Sequence, residues 1–194
     1  LYDVVGHWNF AAEDEVVEVR AGSERSQRLG GQLQIRYEEA QLSFAGMSLT
    51  GAVAHWTPGD RQANFGGGVE GVDSSGHFSA RDVEVDLQAR RLLARGAVKS
   101  ERDSARMEAD EFVQEWRAHR SVASGYPARY ERANRSIEAR HIGYFSDEDR
   151  VEADSQVVFR EGERLLAARH LVYASQSATV SAHGAVALKG PELE

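Results

Sequence analysis

The chain reads as an all-β protein assembled from about five repeated strand pairs, with further strands ahead of them. Two observations carry that reading. The first is a sequence period close to 29 residues. The phrases Ala80-Arg81-Asp82-Val83, Ala109-Asp110-Glu111-Phe112, Ala139-Arg140-His141-Ile142 and Ala168-Arg169-His170-Leu171 recur with their alanines 29, 30 and 29 residues apart, and a fainter copy, Ala52-Val53-Ala54-His55, starts 28 residues before Ala80. A small residue follows each alanine by 16 positions, at Gly68, Gly96, Gly125, Ser155 and Gly184. A fixed spacing inside a repeat implies a fixed internal geometry, and self-similarity at one period marks a stacked architecture. The second observation is apolar alternation at period two within each unit, the mark of a strand with one wet and one dry face.

The elements follow in order. Val16-Val17-Glu18-Val19-Arg20, Gln32-Leu33-Gln34-Ile35-Arg36-Tyr37 and Gln41-Leu42-Ser43-Phe44 alternate and read as N-terminal strands, parted by a loop-like stretch from Ala21 to Gly31. The repeat units span approximately 47–72, 78–99, 105–130, 135–160 and 164–188. Val83, Val85 and Leu87 alternate with Asp82, Glu84 and Asp86; Ile142 and Tyr144 alternate with His141 and Gly143; Leu171 and Tyr173 alternate with His170 and Val172. Turns are expected where alternation breaks, at Thr57-Pro58-Gly59-Asp60, Gln88-Ala89-Arg90, Ser146-Asp147-Glu148-Asp149 and Ser175-Gln176-Ser177.

The return strands place Leu92, Ala94, Gly96 and Val98 on one side. Val151, Ala153, Ser155, Val157 and Phe159 likewise share a face, as do Val180, Ala182, Gly184, Val186 and Leu188. The small residues are expected at the centre of the inward face, leaving room for a bulky neighbour or a ligand. Asp103 to Ala118 carries a competing helical pattern, and the period favours strand for 105–116. Residues 117–135, with Gly125-Tyr126-Pro127, predict an irregular connection. Nothing marks a linker, so one continuous domain over 1–194 is expected.

Composition excludes several function classes. A net charge of −8 opposes nucleic-acid binding, which depends on Lys and Arg neutralising phosphates. The chain has no cysteine, hence no disulfide framework, thiolate metal site or Cys nucleophile. No run approaches the roughly 18 apolar residues of a membrane span. The chain opens on Leu1-Tyr2-Asp3 without a basic-then-apolar leader, and is expected to be a mature form or fragment.

The constellations that could carry chemistry are weak. His141 and His170 hold equivalent repeat positions and are expected to stack on the outer face as a solvated ladder rather than a metal site. Glu13-Asp14-Glu15 and Asp147-Glu148-Asp149 read as solvated turn charge. Gly66-Gly67-Gly68 precedes no helix and so cradles no phosphate; no serine-hydrolase elbow is present. Catalytic residues, metal and cofactor are therefore expected to be none. Arg90, Arg91, Arg117, Arg120, Arg129, Arg132 and Arg135 form the basic concentrations, suited either to phosphate or to the many nearby carboxylates.

Units of this kind cannot bury an inner face alone, so neighbours share a core. Propeller blades need about 40–45 residues, which leaves a closed barrel or an open, folded sheet. Open edges would be capped or joined by strand addition from another chain. Gly190-Pro191 is a natural end to the stack, because Pro removes a ladder donor.

The text from Val151-Glu152-Ala153-Asp154 through Val157-Val158-Phe159 and Gly162-Glu163-Arg164-Leu165-Leu166-Ala167-Ala168 to Leu171-Val172-Tyr173 and Gly184-Ala185-Val186 resembles the OstA-like repeats of the lipopolysaccharide-transport proteins LptA and LptC. The likeness extends over about residues 78–190, weakens over 47–77 and is missing from 1–30. It implies a twisted, open β-jelly roll (a β-taco) in the periplasm, tethered to the inner membrane in LptC-like members. Such proteins hold the acyl chains of lipopolysaccharide and abut Lpt-type neighbours, or further copies, through edge strands.

The groove so implied is lined by Val83, Val85, Phe112, Ile142, Tyr144, Leu171 and Tyr173, with Val98, Val157, Phe159, Val180 and Val186 opposite. Burial of methylenes yields about 0.8 kcal/mol each, or roughly 9 kcal/mol for a twelve-carbon chain before ordering costs. The same residues also read as plain core. The alternative function is a non-enzymatic β-repeat scaffold that polymerises through its open edges.

Overall fold

The computed structural model describes residues 4–10 and 15–190. Sixteen strands follow one another: β1 (Val4–Phe10), β2 (Glu15–Ala21), β3 (Ser23–Leu29), β4 (Gln32–Phe44), β5 (Met47–Thr57), β6 (Gln62–Asp73), β7 (Gly76–Ala80), β8 (Asp82–Asp86), β9 (Arg91–Arg102), β10 (Ala105–Glu115), β11 (Arg120–Arg132), β12 (Arg135–Phe145), β13 (Arg150–Glu161), β14 (Arg164–Ala174), β15 (Thr179–His183) and β16 (Ala187–Lys189). The only helical piece among the described residues is one 3-10 turn at Trp116–Ala118. The segment 105–116 is thus strand almost to its end, and every pairing that can be read is antiparallel. Contacts divide the chain into two compact units, Leu1–Gly96 and Ala97–Glu194.

In the first unit the sheet runs β1-β2-β4-β5-β6-β7, with β3 on β4 and β8 on β6. The stretch expected to be a loop, Ala21 to Gly31, contains strand β3, paired from Ser23↔Glu38 to Leu29↔Gln32. Its text, Ser-Glu-Arg-Ser-Gln-Arg-Leu, is exposed nearly throughout, so no apolar alternation announces it; the backbone ladder to β4 makes the strand. Strands β2 and β3 act as one bent strand, with the Gly22 amide donating to the Glu38 carbonyl at 2.9 Å. Tyr37, Leu49, Trp56, Phe65, Val69, Val85, Leu87 and Leu92 fill this unit's core.

In the second unit the order is β10-β11-β12-β13-β14-β15, with β16 also on β14. The region 117–135 is not irregular: β11 pairs with both neighbours, interrupted only by a bulge between Ser124 and Ala128. Pro127 has no amide to give a ladder, and the Tyr126–Pro127 peptide is cis.

Of the small residues 16 places after the repeat alanines, Gly125 is buried as expected, whereas the other four have a different role. Gly68, Gly96, Ser155 and Gly184 all have positive φ, and Ala97, Gln156 and Ala185 follow suit at +51°, +59° and +52°. These are corners, where two consecutive left-handed residues interrupt a ladder and bend the strand. The register shifts there, between Asp154 and Val157 in β13 for example. Gly68, Ser155 and Gly184 are consequently exposed rather than inward. Glycine recurs at three of these corners because it accepts this backbone at little cost, and because space is short: a Cβ on Gly96 would sit 2.9 Å from the Arg81 Cβ.

The corners fold the second unit's sheet onto itself. A straight strand from Arg135 to Phe145 would part its ends by about 33 Å. Yet Arg132 and Arg135, at one end of the hairpins, reach Asp149 and Tyr173 at the other, through Nη1 to Asp149 Oδ1 at 2.7 Å and Nη1 to Tyr173 Oη at 2.6 Å. The rings of Phe159 and Tyr173, likewise on different halves of their strands, lie 6.2 Å apart. Each long strand therefore contributes one half to each of two facing walls.

Candidate functional site

The walls of the second unit are built in rows. Register aligns Phe112, Ala123, Ile142, Ala153, Leu171 and Ala182 across six consecutive strands. Large side chains alternate with alanine, so each bulky residue packs into the gap left by a small one. The next row carries Gln114, Ser121, Tyr144, Val151, Tyr173 and Val180. On the facing wall, Met107, Tyr130, Ile137, Phe159, Leu166 and Leu188 align.

Most residues expected to line a groove are buried: Val83, Val85, Val98, Phe112, Ile142, Val157, Phe159, Leu171 and Tyr173. Tyr144 and Val180 are half-buried. Their arrangement corrects the expected one. Outward and return strands do not oppose each other; they are ladder neighbours, as Tyr173 and Val180 are, and opposition arises only across the corners. Val83 and Val85 pack in the first unit against Ala63, Phe65, Leu92 and Ala94. Val186 is 52% exposed and lies in no strand, because the corner at Gly184-Ala185 breaks the alternation that placed it inward; Leu188 keeps its register with Leu166 but is exposed on the short edge strand β16.

Between the walls, at the β10 end, a cavity opens that sequence reasoning largely missed. It is lined by Ala105, Met107, Phe112, Ser121, Tyr130 and Tyr144, with Ser100, Arg102, Asp103, Arg106 and Arg132 at its polar margin. Its space is about 40 Å³, on a scale where one water requires roughly 10–15 Å³. Met107 and Tyr130 sit at alternating strand positions, a signal lost when 117–135 is taken as irregular.

Polar groups clasp the margin of this fold. Arg132 Nη1 donates to Asp149 Oδ1 at 2.7 Å and to Ser175 Oγ at 3.2 Å, and Tyr144 Oη donates to Asp149 at 3.3 Å. Asp149 is therefore not solvated turn charge, as its acidic run suggested, but the acceptor that joins separate hairpin ends. Tyr130 is 2% exposed, and its hydroxyl has no hydrogen-bond partner among the protein groups. Burial pushes its pKa up to about 12, against a smaller opposing pull from the adjacent Arg132. The Tyr144 pKa is also raised, by burial first and then by the Asp149 carboxylate.

The remaining candidates resolve into structural pairs. His141 and His170 do not stack on each other: Asp154 lies between them in register. His170 Nδ1 contacts Asp154 at 2.7 Å, and His141 Nδ1 contacts Ser124 Oγ at 3.0 Å. Among the described residues no group of three His, Asp or Glu could hold a metal ion. Arg120, Arg129 and Arg135 pair with Glu115, Glu138 and Glu161. Glu13, Asp14 and Pro191 lie outside the described residues.

An all-antiparallel sheet, cornered every repeat and closed over an apolar interior, is the construction of an LptA-like β-jelly roll. A solved structure carries the same fold: LptH of Pseudomonas aeruginosa, the LptA-homologous periplasmic component of its lipopolysaccharide transport device, superposes with a TM-score of 0.56 at 19% identity, over 59% of this chain and 94% of LptH. No family model and no curated protein sequence matches the chain. Among the described residues no helix is long and apolar enough to cross a membrane.

Proposed function

We propose that this chain is a non-enzymatic lipid carrier of the periplasm, which takes lipopolysaccharide acyl chains between the walls of its folded sheet and passes them toward the outer membrane. The likeness in fold to LptH, a lipopolysaccharide-transport component, is the observation that carries this reading. The interior supports it. Phe112, Ile142, Phe159, Leu171 and Tyr173 are buried in its walls, and the cavity at the β10 end has Phe112 in its lining. Acyl chains need no polar anchor there, since apolar burial alone supplies the free energy.

Partners would be Lpt-type neighbours or second copies, joined through sheet edges. Strand β1 pairs only with β2, and β15 only with β14, among the described residues. From Thr179 to Leu188 the terminal edge holds neither an acidic residue nor Lys, Arg or Pro, the groups that usually blunt an edge.

The test replaces Phe112, on the cavity wall, with p-benzoylphenylalanine, and separately His141, on the outer face. Illumination with lipopolysaccharide should crosslink at 112 and leave 141 unmodified. Capture at neither position in folded protein would reject the carrier and favour the scaffold that assembles through its edges.

A further inference from the structure

The cavity at the β10 end holds one group that an apolar interior has no use for. The Tyr130 hydroxyl is buried between the walls with no protein hydrogen-bond partner, an arrangement that costs the desolvation of the group without return. Two polar neighbours are committed to Asp149: Arg132 Nη1 serves Asp149 and Ser175, and the Tyr144 hydroxyl serves Asp149. Phenylalanine would fill the same volume at no such cost. Ala105, Met107 and Phe112 form the apolar part of the lining, and Ser100, Arg102, Asp103, Arg106 and Ser121 complete it.

We infer that this cavity is a recognition site for the oxygen-bearing end of an acyl chain, with the Tyr130 hydroxyl donating a hydrogen bond to a carbonyl, carboxylate or hydroxyl oxygen of the ligand. The inference rests on the carrier reading above and narrows it, from any hydrocarbon to an oxygenated one. The hydroxyl is suited to donation, because burial keeps it protonated far above neutral pH. An acceptor arriving on a hydrocarbon chain would place its methylenes against Met107 and Phe112. Met107, unbranched and adaptable, is the side chain best able to move as the chain enters. Arg102, Arg106 and Arg132 outnumber Asp103 in the lining, even with Arg132 paired to Asp149, and would favour an anionic acceptor over a cationic head.

The experiment compares the full chain with Tyr130→Phe by calorimetric titration of two twelve-carbon probes below their micelle concentrations, dodecanoate and dodecyltrimethylammonium. Tyr130→Phe should weaken dodecanoate about tenfold, the loss of one charge-assisted hydrogen bond, and leave dodecyltrimethylammonium unchanged. Its unfolding midpoint in urea should not fall, which separates lost recognition from lost structure. Equal dodecanoate binding by both proteins would overturn the inference, with the hydroxyl then satisfied by water, while acyl binding and the carrier reading stand. Binding of neither probe to the natural chain would overturn the inference too; lipopolysaccharide crosslinking at position 112 then decides whether the carrier reading falls with it.

Discussion

Tyr130 and Ile142 show how differently two buried side chains are spent. Ile142 is wholly buried between Ala123 and Ala153, so Ile142→Ala should cost about 2–5 kcal/mol through lost burial and a cavity the row cannot close. Urea denaturation followed by tryptophan fluorescence measures it, and a loss below 1 kcal/mol (roughly a surface effect) would show that the row is not packed as described. Tyr130 makes a pH prediction instead. Its folded pKa of about 12 lies above the ordinary value of 10.0, so the fold favours the protonated phenol. The associated stability is complete below pH 10 and is lost between pH 10 and 12 as the unfolded chain ionises first, at about 1.4 kcal/mol per pH unit for one proton. Tyr144 shifts in the same direction. Tyr130→Phe should therefore flatten, without abolishing, the fall in urea midpoint over that range; an unchanged slope would mean that Tyr130 is not buried as described.

At the scale of the element, the corner is the unit of construction. Its sequence signature is a small residue at a fixed offset; its physical content is a pair of left-handed residues that turns a strand through the fold. Gly96→Ala meets both objections, a φ of +81° and a Cβ 2.9 Å from Arg81, and should destabilise by about 1–2 kcal/mol. Gly30→Ala, at φ +58° in an open turn with nothing within 4 Å, should cost less by the same assay, and equal costs would deny that crowding matters at the corner. Gly71 is constrained differently: a Cβ there would lie 2.1 Å from the Phe78 ring. Gly71→Ala should lower stability by about 1–3 kcal/mol through overpacking, and Phe78→Leu in the same chain should restore part of the loss. The period was legible because four of the five units place a left-handed small residue at the same offset, Gly68, Gly96, Ser155 and Gly184. What it was for was not, since alternation assigns every second residue to one face and cannot foresee a register shift.

For the whole molecule, the open edges matter most. The proposed partnership through β15 and β16 predicts that Ser181→Glu with His183→Glu, both exposed, should leave the fold intact and abolish any concentration-dependent association seen by sedimentation velocity. Association that persists in the doubly charged variant would exclude this edge as the joining surface.

The sequence by itself determined the all-β class, the hairpin spacing, the inward set around Val83, Val85, Ile142, Leu171 and Tyr173 and the likeness to OstA-like repeats, because period-two burial and a repeating corner write themselves directly into residue order. It determined neither strand β3, which is almost wholly polar and held mainly by its backbone ladder to β4, nor the continuity of β11 through its bulge. Only the tertiary structure decided which residues face each other. Opposition is set by where the strands bend, so Arg132 meets Asp149, Arg135 meets Tyr173, and Tyr130 comes to stand buried and unpartnered in the lining of the cavity. Contacts between the two halves of a folded sheet join residues far apart in sequence, and no local pattern carries that information.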